Sequence, residues 1–235
     1  MFPIKVLNRD VMDKGDFVRI EYVGRLESGE IFDVTSEEEA KKNNVYNKGI
    51  KYRPIPVIVD SGVVIKGLDN ALKDMSPGEK RTVDIQPEDA FGQRDQRLVR
   101  VVPRKAFRER NIEPVPGMIV DFSGVKGRIQ SASAGRVMVD FNNPLAGKPL
   151  KYELEVKERI ENPDDKIKAV FEFFGIDKTA VKIENKTLDV ETVRLPVELK
   201  DRISSLIIDH INGIEKVRFL ETYEKSNPEK KIAEE

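Results

Sequence analysis

The apolar positions along this chain change period twice. From residue 16 to 86 short runs alternate apolar and polar residues, the signature of half-buried strands. Val18, Ile20 and Tyr22 stand between charged or polar neighbours, Glu27-Ser28-Gly29-Glu30 reads as a turn, and Ile31-Phe32 resumes a strand, so a hairpin is expected over 16–33. The charged stretch Glu37 to Lys42 predicts one or two helical turns, with Asn43-Asn44 and Lys48-Gly49 marking loops. A strand at Val57-Ile58-Val59 should end in a turn at Asp60-Ser61-Gly62. Leu68 and Leu72 lie one helical turn apart and predict a short helix after Gly67. Pro77-Gly78 is a turn, and Val83 and Ile85 alternate in a strand over 80–86.

The next stretch is also strand-like, with runs at 97–102, 118–122, 128–132 and 136–141, and Pro103 opens a short helix through Arg110. Leu150, Tyr152, Leu154 and Val156 alternate in a strand over 150–160. After Ile160 the period lengthens. Asn162 as a cap, Pro163 at the first position and acids at 164 and 165 start a helix; Ile167, Val170, Phe171 and Phe174 follow at helical spacing and Gly175 ends it. Strands at 180–184 and 188–193, a helix over 197–211 and a strand at 215–223 complete an α-β-β-α-β pattern, ahead of a polar tail expected to fray.

Charge divides the chain in the same way. The net charge of the 235 residues is −1, yet residues 93–140 hold ten Lys/Arg against five Asp/Glu, and residues 161–235 hold thirteen against seventeen. Three modules are expected. With 39% hydrophobic and 35% charged residues, the composition is that of a soluble globular protein. No apolar run approaches the roughly 20 residues that span a bilayer, so no membrane partner is expected. The opening MFPIKVLNRD lacks the apolar core of a secretory signal, and the expected location is the cytoplasm. The absence of cysteine excludes disulfides, thiolate catalysis and cysteine–zinc sites. The one histidine, His210, lies among isoleucines late in a helix and reads as structural, so no metal and no cofactor is expected. Gly62, Gly67 and Gly78 read as turn glycines, not as a phosphate loop.

Three stretches carry a more specific signal. VRIEYVGRLESGEIFD places Tyr22, Phe32 and Asp33 in the pattern Y-x-G-x-L-x-x-G-x-x-F-D. VVIKGLDNALKDMSPGEKRTVDIQPEDAFG fits V-I-x-G-W/L-E-x-x-L-x-x-M-x-x-G-E with its P-x-x-A-Y/F-G ending, and NNPLAGKPLKYELEV fits N-x-P-L-A-G-x-x-L-x-F/Y-x-V-x-V. In this order they resemble the FKBP family of peptidyl-prolyl cis/trans isomerases, and the third is similar to its SlyD-like branch. The resemblance implies an α+β fold: a half-barrel antiparallel sheet wrapped on a short helix, formed by residues 1–92 and 141–160. Residues 93–140 then occupy the place of an inserted β-rich chaperone domain, the insert-in-flap domain. Residues 161–235 form an additional C-terminal α/β module, similar to that of the long archaeal branch. The histidine-rich metal-binding tail of bacterial SlyD has no counterpart here.

A prolyl amide rotates over a barrier of roughly 18–20 kcal/mol because its C–N bond is partly double, and no bond need break, so neither a nucleophile nor a metal is required. An apolar site disfavours the charge-separated planar form, and hydrogen bonds can hold the twisted one. The resemblance implies that Tyr22, Phe32, Val57, Val64, Ile65, Leu68, Phe91 and Tyr152 line a prolyl pocket. Asp33 would hold Tyr22, and the backbone of Val64-Ile65 would bond the substrate. Leu68 and Val57 stand where many members have aromatics, which implies a roomier pocket and puts tight macrolide binding in doubt. Those two aliphatic residues also support an alternative reading, a holdase chaperone with little isomerase activity.

The insert combines positive charge with many apolar residues in 48 positions, more than so small a unit buries. Val101, Val102, Phe107, Met118 and Ile119 are expected to bind unfolded chains, by strand addition. Nucleic acid is not expected as a partner, because the basic segment shows no RNA-binding signature. In the C-terminal module Ile207 and Ile208 are adjacent, and Phe171, Phe173 and Phe174 point to more than one side of a helix. That pattern asks for a second surface to cover it. A second copy of the chain is expected, giving a homodimer that acts on unfolded or proline-containing polypeptides.

Overall fold

The computed structural model describes residues 11–133, 135–176, 179–192 and 194–221; the polar tail and the ends of two predicted strands, at 193 and 222–223, lie outside the described residues. The fold is α+β. The first sheet is antiparallel, with strands β1 (Phe17–Leu26), β2 (Ile31–Val34), β3 (Ile55–Ile58), β4 (Lys80–Ile85) and β9 (Leu150–Ile160). Its order is β2-β1-β9-β4, and β3 pairs with the first half of β1. The long central strand β1 thus serves two partners on one side, with Val23↔Val34 at one end and Val18↔Val57 at the other. Helix α1 (Glu37–Lys42) is capped by Ser36, which accepts from the Glu39 N–H, and follows β2.

Helix α2 (Lys66–Leu72) lies on the sheet and buries Leu68 and Leu72 in a core with Val18, Ile20, Val57, Val59, Ile85, Leu150, Leu154 and Val156. Gly67 lets it approach. A Cβ there would sit 2.4 Å from Ile85 Cγ2, so any side chain would force helix and strand apart.

The inserted module has its own sheet, order β5-β8-β7-β6, and its own core. Its elements are β5 (Val99–Pro103), α3 (Arg104–Arg108), β6 (Ile119–Phe122), β7 (Val125–Ser133) and β8 (Arg136–Asp140). The two chain crossings into it are tied together. Asn142 Oδ1 accepts the Asp95 N–H at 2.8 Å while Asn142 Nδ2 donates to the Asp95 carbonyl at 2.9 Å, and Arg94 pairs with Asp140 at 2.5 Å.

The C-terminal module contains α4 (Pro163–Phe173), β10 (Ala180–Glu184), β11 (Thr187–Glu191), α5 (Val197–His210) and β12 (Lys216–Leu220). Strands β10 and β11 are antiparallel, and β11 and β12 parallel. Asn162 caps α4 by accepting the Asp164 N–H at 2.8 Å. Its core is continuous with the first module: Phe17, Ile58 and Ile160 pack with Val170, Phe171, Leu188, Ile203 and Ile207. Pro56, Val57 and Val63 face Ala169, Phe173 and Leu206 across the same seam. Part of the apolar surface that suggested a second copy is therefore covered within one chain. The Ile207–Ile208 pair divides as expected, Ile207 buried and Ile208 40% exposed.

Candidate active site

The β1–β2 hairpin brings Tyr22, Phe32 and Asp33 together, and β9 adds Tyr152. Tyr22 Oη donates to Asp33 Oδ2 at 2.7 Å. The Tyr152 ring lies edge-on to both Tyr22 and Phe32, at centroid distances of 5.4 and 5.7 Å. Gly24 makes this possible: a Cβ there would lie 2.7 Å from Phe32 Cζ and 3.2 Å from Tyr152 Cε1. The Y-x-G spacing is thus a packing requirement, with the aromatic and its supporting gap two residues apart on one face of a strand. Burial pushes the Tyr22 hydroxyl well above the usual tyrosine range, and the neighbouring Asp33 carboxylate pushes it further; Tyr152 is raised for the same two reasons. Both phenols therefore stay neutral.

Tyr22, Phe32, Ile55, Val64, Ile65 and Ala90 are partly buried around the fully buried Leu68 and Tyr152, forming an apolar, aromatic-rich cluster beside α2. Ile65 is the N-cap residue of α2 and receives no side-chain cap; its carbonyl accepts from the Leu68 and Asp69 N–H groups at 3.0 and 3.1 Å. Among the described residues none accepts a hydrogen bond from the Ile65 N–H.

The residues expected from the sequence to contact substrate differ in burial. Val57 is fully buried, as Leu68 and Tyr152 are, and Ile55, on the same face of β3 two residues earlier, is half-buried. Phe91 is 36% exposed and lies outside the core cluster. It follows the turn Pro87–Asp89, which the Lys66–Asp89 ion pair at 2.6 Å ties to the start of α2. Phe107 is 1% exposed; it is the centre of the insert's core, edge-on to Phe122 at 5.7 Å, and is not a surface contact. Val102 is likewise half-buried against that core, whereas Val101 and Ile119 are more than half exposed and Met118 is exposed.

Two further buried polar residues hold this site. Thr35 Oγ1 accepts the Tyr22 N–H at 2.8 Å and donates to the Tyr22 carbonyl at 3.2 Å. Asp69 accepts the N–H groups of Asp60 and Gly62, each at 3.0 Å, and so fixes the turn that leads into Val64 and Ile65. Burial pushes the Asp69 carboxyl up, against these two bonds. Thr35 stands just outside the first motif, and Asp69 occupies the acidic position of the second.

The motif residues Tyr22, Phe32, Leu68 and Tyr152 thus pack into one apolar cluster of neutral aromatics beside the start of α2. The family model described as FKBP-type peptidyl-prolyl cis-trans isomerase matches residues 9–157, and the chain belongs to that family. It is 37% identical over 149 residues to a short-type peptidyl-prolyl cis-trans isomerase of Methanocaldococcus jannaschii, covering 63% of this chain and 94% of that one. It is 31% identical over 157 residues to the FKBP-type isomerase SlyD of Treponema pallidum, covering 65% of this chain and 81% of the relative. A SlyD of Helicobacter pylori is 31% identical over 121 residues, covering 50% of this chain and 65% of the relative. The activity these relatives' names share, prolyl cis/trans isomerisation, is that of this chain's family.

Proposed function

We propose that prolyl rotation takes place over Leu68 and Tyr152, between Tyr22, Phe32, Ile55, Val64 and Ile65, and that the insert holds unfolded chains for it. The observation that carries the first half is the packed set Tyr22–Asp33–Phe32–Tyr152. A neutral aromatic wall with little water raises the energy of the planar, charge-separated amide more than that of the twisted one. Asp33 fixes the Tyr22 ring, and the Ile65 N–H is placed to donate to a substrate carbonyl. A substrate held in the twisted shape has part of its barrier offset by binding.

The second half is supported by the exposed apolar residues Val101, Ile119, Val125 and Met138 on a sheet whose outer strands β5 and β6 each pair on one side only among the described residues, with the exposed Val115 and Met118 on the loop that leads into β6. An extended chain can add to such an edge and place alternate side chains against the apolar positions. Linking this surface to the pocket raises the local concentration of prolyl bonds without altering the pocket.

Asp33→Ala and Phe32→Ala should each lower the rate on a prolyl tetrapeptide at least about tenfold, about 1.4 kcal/mol of transition-state stabilisation. Parent-like rates in both folded variants would contradict the pocket. A second copy of the chain remains part of this reading, now through the exposed Ile183, Val197, Ile208 and Leu220. Light scattering should give about twice the 26.8 kDa chain mass; a mass equal to one chain would remove it.

A further inference from the structure

The carboxylate of Glu172, in α4, lies outside the family-matched segment and is mostly buried, its side chain 16% exposed. It accepts two hydrogen bonds from Arg19, from Nη1 at 3.1 Å and Nη2 at 2.8 Å, and a third contact comes from Arg53 Nε at 3.2 Å. The Arg19 guanidinium is held further above its ordinary range by this bonding, and its Nε also meets Glu158 at 3.3 Å. A bidentate arginine–carboxylate pair fixes orientation as well as distance.

Both arginines flank β3, the strand that carries Ile55 of the proposed pocket. Arg53 lies two residues before Ile55, and Arg19 on β1 is directly opposite Pro56, with Ile20 opposite Ile55. Strand β3 is weakly held by the sheet. It is four residues long, pairs among the described residues with β1 alone, and includes Pro56, which has no N–H to donate. Its other side is met by α4: Pro56, Val57, Ile58 and Val63 face Ala169, Val170 and Phe173. Val63 packs against the cores of both modules and is followed at once by Val64 and Ile65. The C-terminal module therefore meets the segments of the proposed pocket in two places, at Arg53 before Ile55 and at Val63 before Val64.

We infer that Glu172 is a positioning residue for prolyl isomerisation, holding β3 and the Val63–Ile65 segment in register through Arg53 and Arg19. The inference rests on the pocket assignment made above. It gives the C-terminal module a part in the reaction that does not depend on contacting substrate. Losing the Glu172 carboxylate would remove the acceptor that Arg19 and Arg53 share beside a short strand, and that strand would shift before the rest of the sheet does.

The test uses the full-length chain with Glu172→Gln, Glu172→Asp, Arg53→Ala and the double variant Glu172→Gln/Arg53→Ala. The rate on a prolyl tetrapeptide, the amide NMR shifts of Ile55, Val64 and Ile65, and the thermal midpoint are read for each. Glu172→Gln and Arg53→Ala should each lower kcat/KM about fivefold in fully folded protein, and the double variant should be no slower than the worse single, as residues of one network behave. Glu172→Asp, which keeps the charge, should recover part of the rate and move the three amide signals least. A parent-like kcat/KM in folded Glu172→Gln, a loss that only tracks the unfolded fraction, or additive losses would overturn the inference. Asp33→Ala in the same assay separates the two claims. If it is slow while Glu172→Gln is not, the pocket stands and the positioning role falls; if it too is unchanged, the pocket assignment fails and the inference with it.

Discussion

Tyr22 is fixed from two directions, its hydroxyl by Asp33 and its backbone by Thr35. Asp33 and Tyr22 stand in a recognisable spacing, so their partnership was legible in the sequence. Thr35 and Asp69 were not, because a buried hydroxyl or carboxylate is identified by the backbone groups it meets, and those depend on the fold. The substitution of Ile55 for Val57 as the half-buried β3 residue has the same origin: both face one side of the strand, and only the depth of the sheet decides which is covered. The two tyrosines have folded-state pKa values above the ordinary one near 10. Stability from keeping them neutral is therefore fully present below about pH 10 and is lost as pH rises towards their folded values, since the unfolded chain ionises first. Urea unfolding from about pH 9 to 12 should show a fall in stability that is smaller in Tyr22→Phe and in Tyr152→Phe than in the parent. Identical slopes in all three would show that neither tyrosine is buried as described.

Element by element, the alternation of apolar residues located the strands and the 3.6-residue period located α4 and α5. Both patterns are local, and local signals survive without tertiary information. The ends moved where a turn intervened: β7 runs from Val125 and so begins earlier than the apolar run at 128–132 indicates. Its start pairs with Phe122 across a tight turn at Ser123 and Gly124, both at positive φ. Gly67 is the position where element packing and sequence motif coincide, although its spacing alone reads as a turn. With Ile85 Cγ2 at 2.4 Å and Cγ1 at 2.8 Å from an added Cβ, Gly67→Ala should cost about 1–3 kcal/mol in chemical denaturation through overpacking. Trimming the neighbour, in Gly67→Ala/Ile85→Val, should return part of that loss. A Gly67→Ala protein as stable as the parent would mean that α2 does not sit this close to β4.

Over the complete chain, charge balance and motif order suggest three segments, whereas the packed seam between the first and the third was not readable. Phe17, Ile58 and Ile167 look like core residues of their own modules in sequence, and only the fold joins them in one core. That seam, with Glu172 across it, packs the C-terminal segment against β1 and β3, while the insert stays attached by two chain crossings and a few polar ties. The two appendages should thus fail differently. Whether a catalytic pocket works with a separate chain-holding insert is decided by replacing residues 93–140 with a short Gly-Ser loop. The rates on a prolyl tetrapeptide and on a proline-limited unfolded protein are then measured side by side. The tetrapeptide rate should stay close to that of the parent, and the rate on the unfolded protein should fall much further. Equal losses on both substrates would contradict this division of labour, showing that the insert supports the fold and does not hold the chain.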